Sequence, residues 1–206
     1  PGFELHAFAM LCGYASPFMS YTSTSGVTVC LLGKSGNAKT GAMYSGLSVW
    51  GNPKELSVLE STDNGMMGRF LGLHNIPLGV DEISNKDPKI LAQLIHKISH
   101  GKAKIRMPTT NQSAYGKLEV LKANPDGEAA RLIEMLVKRP ALLDEEGGTS
   151  LGRHIFDAFR TNYGHAGPLL IQAVLRLGDA YVRERIEYWE KKFVEGFGED
   201  VTYRFY

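Results

Sequence analysis

The feature that most constrains the fold is a run of apolar, largely β-branched residues that leads directly into a glycine-bearing loop. The run is Val27-Thr28-Val29-Cys30-Leu31-Leu32, and the loop is Gly33-Lys34-Ser35-Gly36-Asn37-Ala38-Lys39-Thr40. β-Branched residues favour strands, whereas glycine and serine favour turns, so the pattern predicts a buried strand, a loop and then a helix from about Thr40 to Val49. A strand, loop and helix in this order are typical of an α/β fold.

The composition of this loop indicates phosphate binding. Backbone N–H groups of such a loop surround a β-phosphate, a lysine reaches the β- and γ-phosphates, and a hydroxyl ligates Mg²⁺. The N-terminus of the following helix adds its dipole to the anion site. Ala38 stands where glycine usually precedes the lysine. An ordinary Gly/Ser turn between a strand and a helix is the alternative. The predicted nucleotide-binding residues are Gly33, Lys34, Ser35, Gly36, Asn37, Ala38, Lys39, Thr40 and Gly41.

A second segment, Leu78-Gly79-Val80-Asp81-Glu82, is a short apolar run that ends in two adjacent carboxylates. It has the form of a Walker B strand, in which the aspartate holds the Mg²⁺ shell and the glutamate polarises the attacking water. We therefore predict Thr40 and Asp81 as metal ligands and Glu82 as a catalytic residue. The alternative is a solvated acidic turn, since Pro77 and Gly79 weaken the strand propensity.

Two further catalytic candidates lie later in the chain. Asn111, in Thr109-Thr110-Asn111, is the candidate sensor of the γ-phosphate, although an Asx turn also explains the triplet. Residues 128–134 have the pattern of a helix that carries Arg131, a candidate arginine finger. An ion pair of Arg131 with Glu128 or Glu134 on that helix is the alternative.

The order of these motifs resembles the AAA+ ATPases, and within them the superfamily III helicases and the helicase modules of phage and plasmid primase-helicases. The resemblance extends over nearly the whole chain and is strongest to a phage and bacterial domain of formerly unknown function. The segments that carry it are Leu32 to Thr40, Ser48-Val49-Trp50-Gly51, Ile76 to Ile83, His100 to Met107, Thr110-Asn111-Gln112-Ser113 and Asn162-Tyr163-Gly164-His165-Ala166-Gly167.

This resemblance implies an ATP- and Mg²⁺-dependent hydrolase that acts as a DNA helicase in phage or plasmid replication. It implies a homo-oligomeric, hexameric ring that moves on single-stranded DNA in the cytoplasm of a bacterium or a phage-infected host. It also implies a primase or polymerase module in the same polypeptide. The catalytic residues would be Lys39, Asp81, Glu82, Asn111 and Arg131, with Arg131 acting on the neighbouring subunit.

The predicted DNA-binding residues form a basic stripe, which consists of Lys102, Lys104 and Arg106. Alternation along an extended segment places these three side chains on one side, and the resemblance implies that they line a channel for single-stranded DNA. An edge strand protected by charge is the alternative. Only Ile105 to Pro108 precede Thr109, which leaves no room for the strand that AAA+ domains place before the sensor asparagine. Either part of the hairpin is lost or residues are missing between about Arg106 and Thr109, and we favour the second explanation.

Composition adds limits rather than a function. With 206 residues, 43% of them hydrophobic and 22% charged, the chain is long enough for one substantial core. The formal net charge of +1 argues against a generally basic nucleic-acid coat, so DNA contacts should be local. Cys12 and Cys30 lie in apolar stretches, which favours buried free thiols in a reducing compartment. No apolar run is long enough for a bilayer, and no spacing favours a structural metal.

The predicted layout is an α/β ATPase core over residues 1–135, with a mainly parallel sheet, and a helical extension over 136–206. Two alternatives to the helicase remain: a nucleotide-switched AAA+ regulator or remodelling ATPase, consistent with Ala38, and a small-molecule kinase, for which no substrate pocket is evident. The other predicted elements are a helix from about Glu4 to Pro17, a strand from Leu56 to Ser61, a helix over 65–73 capped at Thr62-Asp63-Asn64, a helix from Asp87 to Ser99, and helices with an apolar stripe beyond Ala129.

Overall fold

The fold is known from a computed structural model, which describes residues 2–22, 26–58, 68–69, 72–81 and 132–197. The chain divides into two compact units, residues 1–166 and 167–206. In the first unit the elements are α1 (Glu4–Ala15), a 3₁₀ helix (Ser16–Tyr21), β1 (Thr28–Leu32), α2 (Lys39–Ser48), β2 (Ser57–Val58), β3 (Gly79–Val80), β4 (Leu132–Leu136), a second 3₁₀ helix (Ala141–Leu143) and α3 (Gly148–Thr161).

The described strands form two parallel pairs. β1 pairs with β4, with Thr28 opposite Leu132 and Leu32 opposite Leu136. β2 pairs with β3, with Val58 opposite Val80. Parallel neighbours place their carboxyl ends at the same edge, so the loop after β1 lies beside the segment after β4. The α/β class and the parallel pairing are confirmed; one continuous sheet is not established by the described residues.

The core of the first unit is built on α2 and on its crossing with α1. Ala42, Leu47 and Val49 are each only 2% exposed. The two helices cross at a glycine in each helix, Gly13 in α1 and Gly46 in α2. A Cβ on Gly13 would collide with the carbonyl oxygen of Gly46. The indole Nε1 of Trp50 also donates to the carbonyl oxygen of Gly13 at 2.7 Å. The glycine pair therefore permits the closest approach of α1 to α2.

Gly79 is a weak strand former, and its position in β3 is explained by the neighbouring helix. A Cβ at this position would lie 2.7 Å from Met43 Sδ and 2.8 Å from Leu47 Cδ1, both on α2. The residue is buried in a parallel pair. Contact with α2, rather than strand propensity, thus selects glycine here.

Several predicted elements agree with the structure. The helix predicted from Glu4 is α1, the strand predicted from Val27 is β1, and the helix predicted after the loop is α2. Residues 68–69 and 72–73 are helical, within the helix predicted over 65–73. Its proposed cap at residues 62–64 and the helix predicted from Asp87 to Ser99 lie outside the described residues.

One prediction of secondary structure is wrong. The helix expected over residues 128–134 is contradicted at its carboxyl half, because Leu132 to Leu136 form β4. The apolar residues Leu132, Ile133, Met135 and Leu136 fit a helical spacing and also a short apolar strand, and tertiary pairing with β1 decides between them. The described chain beyond β4 is mostly helical, as expected from Ala129 onward, so β4 is the exception to that expectation.

The second unit contains α4 (Ala166–Leu177) and α5 (Asp179–Phe197), joined at Gly178. Gly178 has φ +82°, a left-handed conformation that suits glycine between two helices. Val182 of the predicted stripe is buried, whereas Leu177 and Trp189 of the same stripe are 56% and 62% exposed. The predicted apolar stripe is therefore present on helices, as expected, but much of it lies at the surface. No helix among the described residues has the length and apolar character needed to cross a membrane.

Candidate functional site: the loop after strand β1

The candidate site is the phosphate loop, residues 33–40, which joins β1 to α2. Its conformation requires three left-handed or glycine-only positions in six residues. Gly33 has φ +145° and Gly36 has φ +85°. Ala38, with φ +58° and ψ +27°, immediately precedes the first turn of α2. The residue that stands in the usual glycine position thus adopts the torsions that normally favour glycine.

Gly33 is also required by a neighbouring strand. A Cβ on Gly33 would lie 2.5 Å from the carbonyl oxygen of Val137, directly after β4. The N–H of Val137 donates to Leu32 O at 2.8 Å, so the pairing of β1 with β4 continues to the last residue of β1. The loop therefore begins where β4 ends.

Lys39 folds back over the beginning of the loop. Its ammonium donates to the carbonyl oxygens of Gly33 and Lys34, at 2.7 and 2.8 Å. These two bonds hold the cation among the backbone groups of the loop rather than in solvent. A phosphate group entering the loop would therefore meet both the backbone N–H groups and this charge.

Thr40 and Asp81 come together although 41 positions separate them in sequence. Thr40 Oγ1, in the first turn of α2, donates to Asp81 Oδ2 at 3.2 Å, and Asp81 directly follows β3. Hydroxyl and carboxylate oxygens are ligands that suit Mg²⁺, which usually keeps several waters and takes further oxygens from substrate phosphates. The donor set fits a Mg²⁺·nucleotide complex held by Thr40, Asp81 and the loop.

No larger metal site accompanies this pair in the part of the chain that the structure describes. Within the described ranges, no group of three or more His, Cys, Asp or Glu side chains is placed to hold a metal ion. A two-ligand site agrees with the chemistry of Mg²⁺ bound to a nucleotide, whose phosphates complete the coordination shell.

The other predicted nucleotide-binding residues differ in their surroundings. Lys34, Ser35 and Gly36 are exposed, whereas Asn37 is half-buried and donates through Nδ2 to Val137 O at 2.8 Å. Gly41 lies in the first turn of α2, where a Cβ would be in ordinary contact with Phe156, at 3.7 Å. Phe156 of α3 stacks on Tyr44 of α2 with ring centroids 5.1 Å apart, so α3 supports the helix that begins at the loop.

Several candidates have no described structure. Glu82, Asn111, Arg131 and the basic stripe of Lys102, Lys104 and Arg106 lie outside the described residues, as does the suspected gap before Thr109. They stay predictions. His165, within one of the segments that carry the resemblance, is exposed and follows Gly164, whose N–H donates to Ser48 O at the far end of α2.

Two residues near the loop were missed by reasoning from the sequence. The guanidinium of Arg139 donates to Gly36 O at 2.8 Å, and His6 Nε2 lies 3.0 Å from Asn37 O. Arg139 escapes sequence reasoning because the residues of β4 also fit a helical spacing. His6 escapes it because the sequence of α1 does not indicate which loop its polar residues contact.

Comparison with known proteins gives the chain a family. The model of a family described as "Domain of unknown function (DUF927)" matches residues 4–115, more than half of the 206 residues. The chain belongs to the DUF927 family. The match includes α1, the phosphate loop and Asp81, whereas β4 and Arg139 of this DUF927 chain lie beyond it. No curated protein matches the sequence.

A solved structure shares the fold of this DUF927 chain. The protein described as "SCCmec type IV Cch - active helicase" superposes with a TM-score of 0.67 at 21% sequence identity. The superposition covers 93% of the DUF927 chain but only 38% of the helicase chain. At this identity the likeness establishes a common α/β fold. It confirms the expected structural relationship to a helicase, while membership of superfamily III stays a prediction.

Proposed function

We propose that the chain is a Mg²⁺-dependent ATPase module of a DNA helicase or translocase. The observation that carries the proposal is the contact of Thr40 Oγ1 with Asp81 Oδ2 at 3.2 Å, at the mouth of a loop whose Lys39 is already turned inward. A lysine and a hydroxyl from the adjacent residues Lys39 and Thr40 meet there with the carboxylate of Asp81, 41 positions away from Thr40. These are the groups that hold Mg²⁺ and the phosphates of a nucleotide in hydrolases of this chemistry.

The steps assigned to this chain's residues are binding and polarisation. Lys39 and the loop amides would bind the β- and γ-phosphates, and Thr40 and Asp81 would hold Mg²⁺, which neutralises charge as the phosphoryl group is transferred. Glu82, the next residue after Asp81, would orient and polarise the attacking water. Asn111 would position that water, and Arg131 of a neighbouring subunit would stabilise the developing charge.

The DNA part of the proposal is supported by the fold shared with an active helicase and by the basic stripe in the sequence. We propose that subunits assemble into a hexameric ring, with ATP hydrolysed at their interfaces and Lys102, Lys104 and Arg106 facing single-stranded DNA. The ATPase core over residues 1–135, the helical extension beyond it, a linked primase or polymerase module and a place in the cytoplasm of the host belong to the same proposal.

ATP turnover with and without single-stranded DNA tests the proposal. We expect hydrolysis that requires Mg²⁺, that rises on adding DNA, and that falls by about 10²-fold or more in Lys39→Ala or Glu82→Gln. The double variant Lys102→Ala, Lys104→Ala should keep basal turnover and lose the DNA response. Lys54→Ala is the matched control, because Lys54 is an exposed cation that precedes β2, at the strand end opposite Asp81.

Two results would change the assignment. Mg²⁺-dependent turnover that is indifferent to DNA would favour a remodelling ATPase, and tight binding of ATP with negligible turnover would favour a nucleotide-switched regulator. The strained Ala38 is the residue that makes the regulator worth testing, since a rigid loop retains nucleotide well. Failure of both binding and turnover in the folded chain would overturn the proposal as a whole.

A further inference from the structure

Two consecutive carbonyl groups of the phosphate loop are held from outside the loop. The carbonyl oxygen of Gly36 accepts a hydrogen bond from Arg139 Nη1 at 2.8 Å. The next carbonyl oxygen, that of Asn37, lies 3.0 Å from His6 Nε2. The two side chains come from opposite ends of the first unit's sequence, one in α1 and one after β4.

Holding a carbonyl also orients the N–H of the same peptide. In a trans peptide the C=O and N–H point in opposite directions across a rigid plane. Fixing Gly36 O and Asn37 O therefore turns the N–H groups of Asn37 and Ala38 away from Arg139 and His6. The N–H of Asn37 indeed points across the loop toward Lys34 O, at 3.4 Å, and Lys39 Nζ binds that same oxygen. The Asn37 N–H is therefore used within the loop, and the peptide plane that His6 fixes sets the direction of the Ala38 N–H.

The contact with His6 also bears on the strained residue. The peptide whose oxygen His6 binds joins Asn37 to Ala38, and its orientation enters the φ angle of Ala38, which is +58°. An alanine keeps left-handed torsions only where surrounding contacts determine the backbone, because its Cβ makes this conformation unfavourable. His6 supplies such a contact without itself belonging to the loop.

The surroundings of the His6 ring favour the hydrogen bond to Asn37 O. The residue is only 8% exposed, and its ring packs on Phe3 with centroids 5.4 Å apart. A carbonyl oxygen can only accept, so Nε2 carries the hydrogen. The buried Nδ1 has no hydrogen-bond partner in the part of the chain that the structure describes. Burying a polar ring for a single bond is costly, which points to a role beyond packing.

Arg139 is held in place from the other side. Its Nε donates to Asp144 Oδ1 at 2.5 Å and its Nη2 to Leu143 O at 2.9 Å. The guanidinium is planar, so these two bonds aim the remaining Nη1 at the loop. Its side chain is 37% exposed, so the guanidinium is held by these bonds rather than by burial.

We propose that His6 and Arg139 are positioning residues that preset the phosphate-binding N–H groups of the loop. The inference rests on the proposed nucleotide binding by this loop, and it assigns part of the binding free energy to two residues that never touch the nucleotide. A loop set before binding loses less conformational freedom when the ligand arrives, which raises affinity.

Equilibrium titration of this chain with a fluorescent ATP analogue and Mg²⁺ tests the role of His6. His6→Phe keeps the ring and its packing on Phe3 but removes the donor, and we expect the Kd to rise about tenfold. His6→Gln retains an N–H donor and should bind within about threefold of the wild type. His165→Phe is the matched control, because His165 lies near the opposite end of α2, roughly 15 Å along the helix.

Arg139 needs a test that separates positioning from direct attraction of phosphate. Arg139→Gln keeps a neutral donor for Gly36 O, whereas Arg139→Met keeps only the stem. If positioning is correct, the Met variant loses about tenfold in affinity and the Gln variant recovers most of it. If only Arg139→Lys recovers affinity, the charge acts on the phosphate directly and positioning by Arg139 is overturned.

Turnover and melting temperature complete the test. The positioning role predicts that KM for ATP rises while kcat changes little, at an unchanged melting temperature without nucleotide. Unchanged Kd and KM in folded His6→Phe and Arg139→Met would overturn the inference, and so would affinity losses that merely follow losses in stability. Wild-type chain that binds no nucleotide would instead contradict the proposed function, with Lys39→Ala as the non-binding reference.

Discussion

At the scale of single residues, the site depends on backbone torsions as much as on side chains. Gly33 and Gly36 adopt positive φ angles that suit glycine, and Ala38 adopts one that does not. Lys39 Nζ donates to Gly33 O, and Thr40 Oγ1 donates to Asp81 Oδ2. The chemistry of the loop therefore rests on a strained backbone that outside contacts hold.

Ala38→Gly should relieve the strain at the end of the loop. Glycine tolerates φ near +58°, so we expect the free energy of unfolding to rise by up to about 1 kcal/mol, less the entropy that glycine loses on folding. Urea denaturation followed by circular dichroism measures the change. Ala42→Gly is the matched control, because Ala42 is 2% exposed in the interior of α2. There the same substitution should destabilise by about 1 kcal/mol or more. Equal losses at both positions would contradict the strain.

Cys30 should react slowly in the native chain. Burial raises the pKa of the Cys30 thiol, and the negative charge of Glu134, opposite it across the β1–β4 pair, raises the pKa further. Only the thiolate is nucleophilic, so the raised pKa lowers the reactive fraction at neutral pH. In a Cys12→Ser background, alkylation at pH 8 should be slower than in the urea-unfolded chain and should speed up in Glu134→Gln. A rate unaffected by Glu134→Gln would leave burial as the sole cause.

At the scale of elements, close contacts decide which residues are allowed. The crossing of α1 with α2 is made by Gly13 and Gly46, and the packing of α2 on β3 is made by Gly79. Both contacts place the helix that begins at the phosphate loop. They link the helix–helix core to the relative position of Thr40, on α2, and Asp81, after β3.

Gly13→Ala and Gly196→Ala should change stability in opposite directions. The Cβ of Gly13→Ala collides with the backbone of Gly46, and overpacking of this kind costs roughly 1–3 kcal/mol. At Gly196, near the end of α5, no described atom lies within 4 Å of the added Cβ. Alanine's greater helix propensity should then stabilise α5 by up to about 1 kcal/mol. Thermal unfolding of both variants distinguishes them, and a neutral Gly13→Ala would contradict the tight crossing.

At the scale of the whole molecule, the described candidate site belongs to one of the two units. The phosphate loop, Asp81, His6 and Arg139 all lie in residues 1–166. The loop connects β1 to α2, and Asp81 extends from β3, so binding a ligand there couples elements distant in sequence. A ligand that binds only the folded state stabilises the unit that holds it.

Saturation with ATP and Mg²⁺ should therefore raise the melting temperature. At a free nucleotide concentration 100 times the Kd, the expected gain is about 2.7 kcal/mol, or roughly 5–11 °C for a chain of this size. The shift should vanish in Lys39→Ala and shrink when EDTA removes Mg²⁺ or when Asp81→Asn weakens its site. An equal shift in Lys39→Ala would place the nucleotide elsewhere.

The sequence by itself determined the local elements around the site. The apolar run before Gly33 predicts β1, and the loop ending in Lys39-Thr40 predicts the start of α2. Both predictions succeed because these elements follow from the local order of apolar and turn-forming residues. The proximity of Thr40 to Asp81 was predictable as well, since the hydroxyl of a phosphate loop and the aspartate of a Walker B strand hold the same Mg²⁺ ion.

Only the tertiary structure decided what surrounds that loop. Leu132 to Leu136 form a strand because their backbone groups pair with those of β1. The local sequence carries no information about this pairing energy. Gly79 and Gly13 were selected by contacts with α2, and His6 and Arg139 reached the loop from 31 and 103 positions away. Residue spacing predicts which side chains lie together within one helix or strand. Contacts between elements depend on tertiary packing. The carbonyl groups of the phosphate loop are held by contacts of this second kind.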